Sequence, residues 1–238
     1  SQGVPRAYMA ELCSHWIDNY DWYETQRRLN RINQGLFCIE GINIHYVENE
    51  KNRGLGYSLN TGVNLSDNEF IFRMDSDDIM ITNRIVKQLE FMTINKDCVL
   101  CGGQVKMFEA KDNDNNNYNI INETNHSSLD WKTFCEKRPH WIMNHPTFCF
   151  KKSAIINVGN YNSSQHSMCE AFDLIVRVLK KYGKIYNLED TLLLYRIHEN
   201  QLTWNGGKNG RSYWNKKRNN IIDNYIDKDN KLIEQGLI

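Results

Sequence analysis

The chain has 238 residues, of which 24% are charged and 40% are hydrophobic, values that are typical of a globular domain. Basic and acidic residues balance at 29 each, so no net field favours binding to nucleic acid. No apolar run reaches the roughly 18 residues of a membrane span, so we expect no transmembrane segment. The seven cysteines, an odd number in apolar contexts, predict reduced thiols and a cytoplasmic protein, with peripheral membrane contact left open.

The first part of the chain predicts a helical segment followed by two strands. Tyr8, Leu12 and Trp16 repeat every four residues, which favours a helix from Pro5 to about Asn33. Leu36 to Val47 then reads as two strands around a turn. We therefore divide the chain into an atypical N-terminal segment (1–47), a core (48–203) and a polar, helical C-terminal tail (204–238).

Within residues 8–46, three placements are specific when taken together: Tyr20-Asp21-Trp22, Leu29-Asn30, and Gly41 followed by Ile44-His45. With them, the segment resembles the N-terminal segment of microsomal-type epoxide hydrolases. In that family an α/β-hydrolase domain with an aspartate nucleophile follows. Here no nucleophile elbow follows, so epoxide hydrolase activity is not implied. The alternatives are a chance likeness and a fused N-terminus.

A glycine-containing loop opens the core and leads into a helix. Leu55, Leu59 and Val63 recur at spacings of four and predict one apolar helix face. Ahead of them, Gly54 and Gly56 would let backbone amides approach a phosphate. A helix-entry turn explains the two glycines equally well.

A short apolar strand that ends in carboxylates follows this helix. Phe70, Ile71 and Phe72 predict a buried strand, and three aspartates follow at positions 75, 77 and 78. In open α/β sheets, ligands bind at the carboxyl ends of strands. Carboxylates two residues apart suit the coordination of a hard cation. The alternative is that these aspartates are exposed to solvent and cap a helix.

The rest of the chain predicts alternating helices and strands. Asn83 caps a helix whose Ile85, Leu89 and Met92 form the expected apolar face. The later elements are a strand at Val99–Phe108, a polar loop at Lys111–Ser128, a short helix at Leu129–Cys135, a strand at His140–Phe150, a short helix at Ser153–Val158, a helix from Glu170 to the Gly183 stop, strands at Lys184–Leu188 and Leu192–Tyr195, and a C-terminal amphipathic helix with Ile221, Ile222, Tyr225 and Ile226.

From Asn49 to about Thr203, ordered motifs make the chain resemble a family 2 glycosyltransferase of the GT-A type. The motifs are Asn52-Arg-Gly-Leu-Gly56, Arg73-Met-Asp-Ser-Asp-Asp78 as the D-x-D signature, His145-Pro-Thr147, Glu170-Ala-Phe-Asp173 and Tyr195-Arg-Ile-His198. The resemblance implies an α/β, Rossmann-like fold with a mostly parallel sheet flanked by helices.

On the donor side, the resemblance implies a nucleotide-sugar site, with a UDP-sugar as the expected donor. The residues implied to bind it are Asn52, Gly54, Gly56, Arg73 and Asp75. Asp77, with Asp75 and His198, would hold Mn²⁺ or Mg²⁺ on the diphosphate.

On the acceptor side, the resemblance implies direct displacement with inversion. Glu170 would be the general base, with Asp173 as the second acidic residue of the motif, and His145 would line the acceptor side. The acceptor would be a glycan, a protein or a lipid. Both carboxylates would also complement the dipole of a helix that starts there, whatever their chemistry.

Two departures from the family pattern leave an alternative open. Ala171 stands where the family has an aspartate after the glutamate, so Glu170 must supply the base. The strand and loop that hold the nucleotide base in the family are not visible before Asn49. The alternative is therefore a catalytically degenerate GT-A-like module that binds a glycan or a partner protein.

Overall fold

The computed structural model describes residues 47–110, 118–162, 169–198 and 210–234. The helix and strands predicted between Pro5 and Tyr46 lie outside this part. The helices are α1 (Leu55–Leu65), α2 (Arg84–Ile94), α3 (Trp131–Lys137), α4 (Lys152–Asn157), α5 (Glu170–Tyr182) and α6 (Gly210–Glu234). The strands are β1 (Phe70–Phe72), β2 (Ile79–Met80), β3 (Leu100–Ala110), β4 (Tyr118–Glu123), β5 (Leu129–Asp130), β6 (Cys149–Lys151) and β7 (Lys184–Arg196).

The strands form a mixed sheet in the order β1-β6-β3-β7-β2, with β4 paired to β3 and β5 paired to β7. Strands β3 and β7 run parallel, and the other described pairs are antiparallel. The predicted α/β class is therefore confirmed. The mostly parallel arrangement is not seen among the described strands.

This strand order carries the acidic loop, defined here as residues 73–78, from one edge of the sheet to the other. Phe72 at the end of β1 pairs with Cys149 of β6, whereas Ile79 at the start of β2 pairs with Leu194 of β7. The loop between them must therefore cross the ends of the intervening strands. That crossing brings its carboxylates to the end of β7.

The sheet is covered on both faces. Successive strand residues alternate between two apolar clusters: Ile71 and Phe150 lie in one, and Phe72 and Cys149 in the other. Helices α1, α5 and α6 contribute to the first cluster, and α2 contributes to the second. Because α6 buries Ile221, Ile222 and Ile226, the described part of the tail packs on the core. None of the described helices has the length and apolar character needed to cross a bilayer.

Three predicted segments have a different secondary structure in the folded chain. The loop predicted at 111–128 contains strand β4, which pairs with β3. The strand predicted at His140–Phe150 is instead a 3-10 turn at His145–Thr147 followed by the short β6, because Pro146 cannot donate to a strand ladder. The two strands predicted after Gly183 form one continuous β7.

Helix α2 lies where the sequence predicts it, with Asn83 at the N-cap position. Ile85 and Leu89 are partly buried and pack with Met92 against the second cluster, as predicted. The fully buried residues, however, are Arg84, Gln88 and Met92. Two polar side chains therefore lie between this helix and the sheet.

Candidate functional site

Arg73 and Asp75 form an ion pair at the start of the acidic loop. Arg73 is 3% exposed, and its Nη1 donates to Asp75 Oδ2 over 2.6 Å while Nη2 contacts Asp75 Oδ1. The backbone N–H of Arg73 donates to the carbonyl of Phe148 over 2.9 Å. Both carboxylate oxygens of Asp75 are therefore engaged by a buried guanidinium. In this state Asp75 faces Arg73.

Asp77 and His198 meet at the other end of the loop. His198 Nε2 lies 3.0 Å from Asp77 Oδ2, and the side chains are 32% and 29% exposed, respectively. The Nε of Arg196 donates to the Asp77 carbonyl over 2.8 Å. The end of β7 thus brings an imidazole to the second carboxylate of the D-x-D sequence. Both groups are open to a ligand.

Asp78 joins the acidic loop to the end of β7 by a hydrogen bond. It is 7% exposed, and its Oδ1 accepts from the backbone N–H of Arg196 over 3.0 Å. Its Oδ2 is buried and has no hydrogen-bond partner among the described residues. Burial, followed by the negative charge of Asp75, raises the pKa of Asp78 to about 8. The sequence assigned no role to this third aspartate.

Tyr161 contacts His145 on the predicted acceptor side. Its hydroxyl lies 3.0 Å from His145 Nε2, and it is 1% exposed. Burial raises the pKa of Tyr161, the positive charge of Arg73 lowers it, and the negative charges of Glu170 and Asp75 raise it further. His145, Arg73, Glu170 and Asp75, all predicted from the sequence, thus act on Tyr161, and we call this group the Tyr161 neighbourhood. Sequence reasoning missed Tyr161 itself. No local pattern marks this tyrosine.

His145 is held as a neutral ring within this neighbourhood. It packs edge-on against Phe148 with ring centroids 4.8 Å apart. Burial, helped by the positive charge of Arg73, holds the pKa of His145 well below its usual range. A neutral imidazole can accept one hydrogen bond and donate another.

Glu170 and Asp173 lie in the first turn of α5 but differ in their surroundings. Glu170 is 5% exposed and sits in the Tyr161 neighbourhood. Asp173 is fully buried and accepts from Arg177 Nε over 2.9 Å and from Tyr225 Oη over 3.0 Å. The Tyr225 contact ties α5 to α6, whereas Arg177 lies on α5 itself, one turn after Asp173. The structure therefore shows Asp173 in contacts with Arg177 and Tyr225, whereas the role of Glu170 as a base stays a prediction.

The glycine loop ahead of α1 has the geometry of a helix-entry turn. Asn52 Oδ1 accepts from the Gly54 backbone N–H over 3.0 Å. Gly54 has φ of 84°, a conformation that side chains other than glycine rarely adopt. Gly56 is buried within the helix. The turn explains Gly54 without a ligand, and its backbone amides remain candidates for a diphosphate.

The Asp77–His198 pair fits a divalent cation that is shared with a ligand phosphate. The described residues contain no group of three or more His, Cys, Asp or Glu side chains that could hold a metal alone. However, adjacent corners of an octahedron with metal–ligand distances of about 2.1 Å lie about 3 Å apart. Asp77 Oδ2 and His198 Nε2, which are hydrogen-bonded at 3.0 Å in this structure, lie at a compatible distance. Mg²⁺ and similar ions complete such a site with water and substrate phosphate.

Comparison with known families identifies the class of this chain. Residues 17–161 match the family described as Glycosyl transferase family 2, which is more than half of the 238 residues. The chain belongs to this family. Because the match begins at residue 17, it includes most of the segment that was compared with epoxide hydrolases. The epoxide hydrolase resemblance therefore gains no support, and part of the N-terminal segment belongs to the transferase family.

Two curated relatives are similar over most of this chain. An uncharacterised glycosyltransferase of Haemophilus influenzae is 32% identical over 163 residues, covering 68% of this chain and 58% of the relative. A UDP-Gal:α-D-GlcNAc-diphosphoundecaprenol β-1,3-galactosyltransferase of Escherichia coli is 32% identical over 166 residues, covering 70% and 58%. The chain thus spans about 58% of the length of these relatives.

A solved structure shares the fold. The mannosyltransferase PcManGT from Pyrobaculum calidifontis, in complex with GDP-Man and Mn²⁺, aligns with a TM-score of 0.52 and 10% identity. The alignment covers 82% of this chain and 49% of that one. The likeness confirms the GT-A-type fold predicted from the motifs.

Proposed function

We propose that this chain transfers a sugar from a nucleotide-sugar donor to an acceptor hydroxyl, with inversion and with the help of Mn²⁺ or Mg²⁺. Family membership supports the transferase class, and the UDP-Gal in the name of the E. coli relative favours a UDP-sugar donor. The observation that carries the proposal is the 3.0 Å Asp77–His198 pair beside the Arg73–Asp75 ion pair.

In the donor half, Asp77 and His198 would hold the cation, and Asp75 would turn toward the nucleotide ribose or a metal-bound water. Asn52 and the amides near Gly54 and Gly56 would face the phosphates. The bound cation would neutralise the charge that develops on the departing diphosphate. Arg73 keeps Asp75 oriented until a donor arrives.

In the acceptor half, Glu170 would remove the proton from the acceptor hydroxyl. The hydroxyl oxygen then bonds to the anomeric carbon from the face opposite the nucleotide, and the nucleoside diphosphate leaves with the bonding pair. His145, kept neutral by burial, would orient the acceptor by hydrogen bonding. Its contact with Tyr161 fixes the ring.

The acceptor class, the location and the division of the chain belong to the same proposal. The lipid-linked diphosphate sugar in the name of the E. coli relative makes such a molecule the first acceptor to test, ahead of a free glycan or a protein. We place the protein in the cytoplasm, consistent with the buried thiols of Cys98, Cys101, Cys149 and Cys169. The division of the chain at residues 48 and 203 remains a prediction.

The second candidate is a catalytically degenerate module that binds a glycan or a partner protein. It is favoured by the ion pair that engages both oxygens of Asp75 and by Ala171 in the acidic motif. Such a module would bind without turnover and without a need for metal.

Release of UDP from UDP-galactose and UDP-GlcNAc separates the two candidates. The proposed enzyme hydrolyses or transfers one of these donors with Mn²⁺, loses the activity with EDTA, and loses it in Asp77→Ala. Asp67→Ala, which removes an exposed aspartate just ahead of the same strand, is the matched control and keeps the activity. Turnover that persists in EDTA and in Asp77→Ala would exclude the metal-assisted mechanism.

A further inference from the structure

The polar face of α2 lies under the candidate site. Arg84 is 1% exposed and Gln88 is fully buried, and they stand one helical turn apart on the side that meets the sheet. Arg84 Nε donates to Gln88 Oε1 over 3.0 Å, so the amide orients the guanidinium. An apolar helix face would have filled this space without buried polar atoms.

Arg84 Nη2 and Gln88 Nε2 bind backbone carbonyls at Arg73 and in the turn after His145, and Gln88 Nε2 also lies 3.4 Å from the carbonyl of Cys101 on β3. Arg84 Nη2 donates to the carbonyl of Arg73 over 2.7 Å and approaches the carbonyl of Phe148 at 3.4 Å. Gln88 Nε2 donates to the carbonyl of Thr147 over 2.8 Å. Arg73 begins the acidic loop, and Thr147 and Phe148 end the turn that carries His145.

The energetics of burial argue that this network serves more than packing. Burial lowers the pKa of Arg84 to about 10, so the guanidinium stays charged at neutral pH. Its Nη1 is buried and has no hydrogen-bond partner among the described residues. A buried charge satisfied only by neutral carbonyls is less favourable than a well-packed apolar side chain of similar volume.

We propose that Arg84, oriented by Gln88, is a positioning residue that fixes the acidic loop relative to the His145 turn. The donor half of the site depends on the acidic loop, and the acceptor half depends on the turn. Arg84 binds both where their backbones already meet, at the hydrogen bond from the Arg73 N–H to the Phe148 carbonyl. The consequence for transfer rests on the proposed function, whereas the consequence for backbone order does not.

Hydrogen exchange tests the structural half of this proposal in the full chain without any ligand. In Arg84→Met, backbone amides at residues 73–78 and 147–149 should exchange about tenfold faster, because each loses a carbonyl anchor. Amides in α5 should not change. Arg84→Lys, which keeps a charged donor at this position, should recover part of the protection. Glu90→Gln, on the exposed face of the same helix, should match wild type.

Donor kinetics test the functional half. With UDP-galactose and an alkyl α-GlcNAc diphosphate as the probe acceptor, Arg84→Met should lower kcat for transfer at least about tenfold and change the donor KM less than about threefold. Transfer should fall more than donor hydrolysis, and Arg84→Lys should restore part of it. Unchanged exchange at both segments, or equal loss of transfer and hydrolysis, overturns the positioning role. A wild-type protein without turnover refutes the proposed function, and exchange still decides the role of Arg84.

Discussion

His198 Nε2 lies 3.0 Å from Asp77 Oδ2, although 121 residues separate them in the chain. Two features produce this contact. Strand β2 pairs with β7 directly after the acidic loop, and Asp78 accepts a hydrogen bond from the backbone of Arg196. The pair therefore depends on the register between two distant segments. That dependence explains why neither residue identifies the site alone.

Loss of the third aspartate should loosen the Asp77–His198 pair. Asp78→Ala removes the acceptor for the Arg196 N–H, so we expect Mn²⁺ affinity in the presence of UDP to fall about tenfold, as for other residues that orient metal ligands. Asp78→Asn keeps an acceptor oxygen and should stay close to wild type. Calorimetric titration measures both. Equal losses of Mn²⁺ affinity in the two variants would show that the carboxyl group of Asp78, and not its hydrogen bond to Arg196, supports metal binding.

Removing the candidate base should slow chemistry and leave donor binding intact. Glu170→Gln retains the size of the side chain but cannot take a proton, so kcat should fall about 10²- to 10⁴-fold while UDP affinity stays unchanged. Single-turnover kinetics with UDP-galactose provide the measurement. Glu136→Gln, at an exposed position on α3, serves as the control. A Glu170→Gln protein with wild-type kcat would remove this residue from the mechanism.

Asp173 should matter for stability. Asp173→Asn leaves the Arg177 guanidinium without its buried carboxylate, and breaking such a pair costs about 3–5 kcal/mol. Tyr225→Phe removes one hydrogen bond to the same carboxylate and should cost about 1 kcal/mol. Urea unfolding measures both. If Asp173→Asn unfolds like wild type but loses transfer, the acidic motif supplies its chemistry through this residue.

Protonation of His145 should destabilise the fold in mild acid. Its folded pKa lies well below the unfolded value of about 6.5, so the unfolded state binds the extra proton in the interval between them. Stability should therefore rise with pH through this interval, with a slope of up to about 1.4 kcal/mol per pH unit, and level off above it.

The comparison that isolates His145 is the slope of stability against pH between about 5 and 6.5 in urea unfolding. His145→Gln should flatten the slope, because glutamine does not titrate. His140→Gln, which replaces a histidine that is hydrogen-bonded to Asn219 on α6, should leave the slope unchanged. An unchanged slope in His145→Gln would mean that His145 is protonated equally in the folded and unfolded chains.

The sequence predicted correctly those helices and strands whose signals lie within the element itself. The helix from Glu170 with its Gly183 stop is present, as is the apolar strand ahead of the aspartates, because periodicity and helix-end chemistry act within a few residues. Strand β4 was missed because its polar residues 118–123 gain order from pairing with β3.

The parts of the site that were missed depend on tertiary contacts. Arg84 and Gln88 were not predicted to be buried, because sequence patterns equate burial with hydrophobicity. Tyr161 has no sequence signature, and only the fold brings it to His145 and Glu170. The ordered motifs predicted the candidate site residues. The contacts of Arg84, Gln88 and Tyr161 around them became visible only in the three-dimensional structure.

Electron paramagnetic resonance of Mn²⁺ in the presence of UDP tests whether Asp77 and His198 form a metal site. Wild type should bind the ion only together with UDP, and Asp77→Ala and His198→Ala should each weaken this binding about tenfold to a hundredfold. Asp67→Ala and His140→Gln should bind as wild type does. Wild-type Mn²⁺ affinity in His198→Ala, or no UDP-dependent binding in wild type, would contradict a metal site formed by Asp77 and His198.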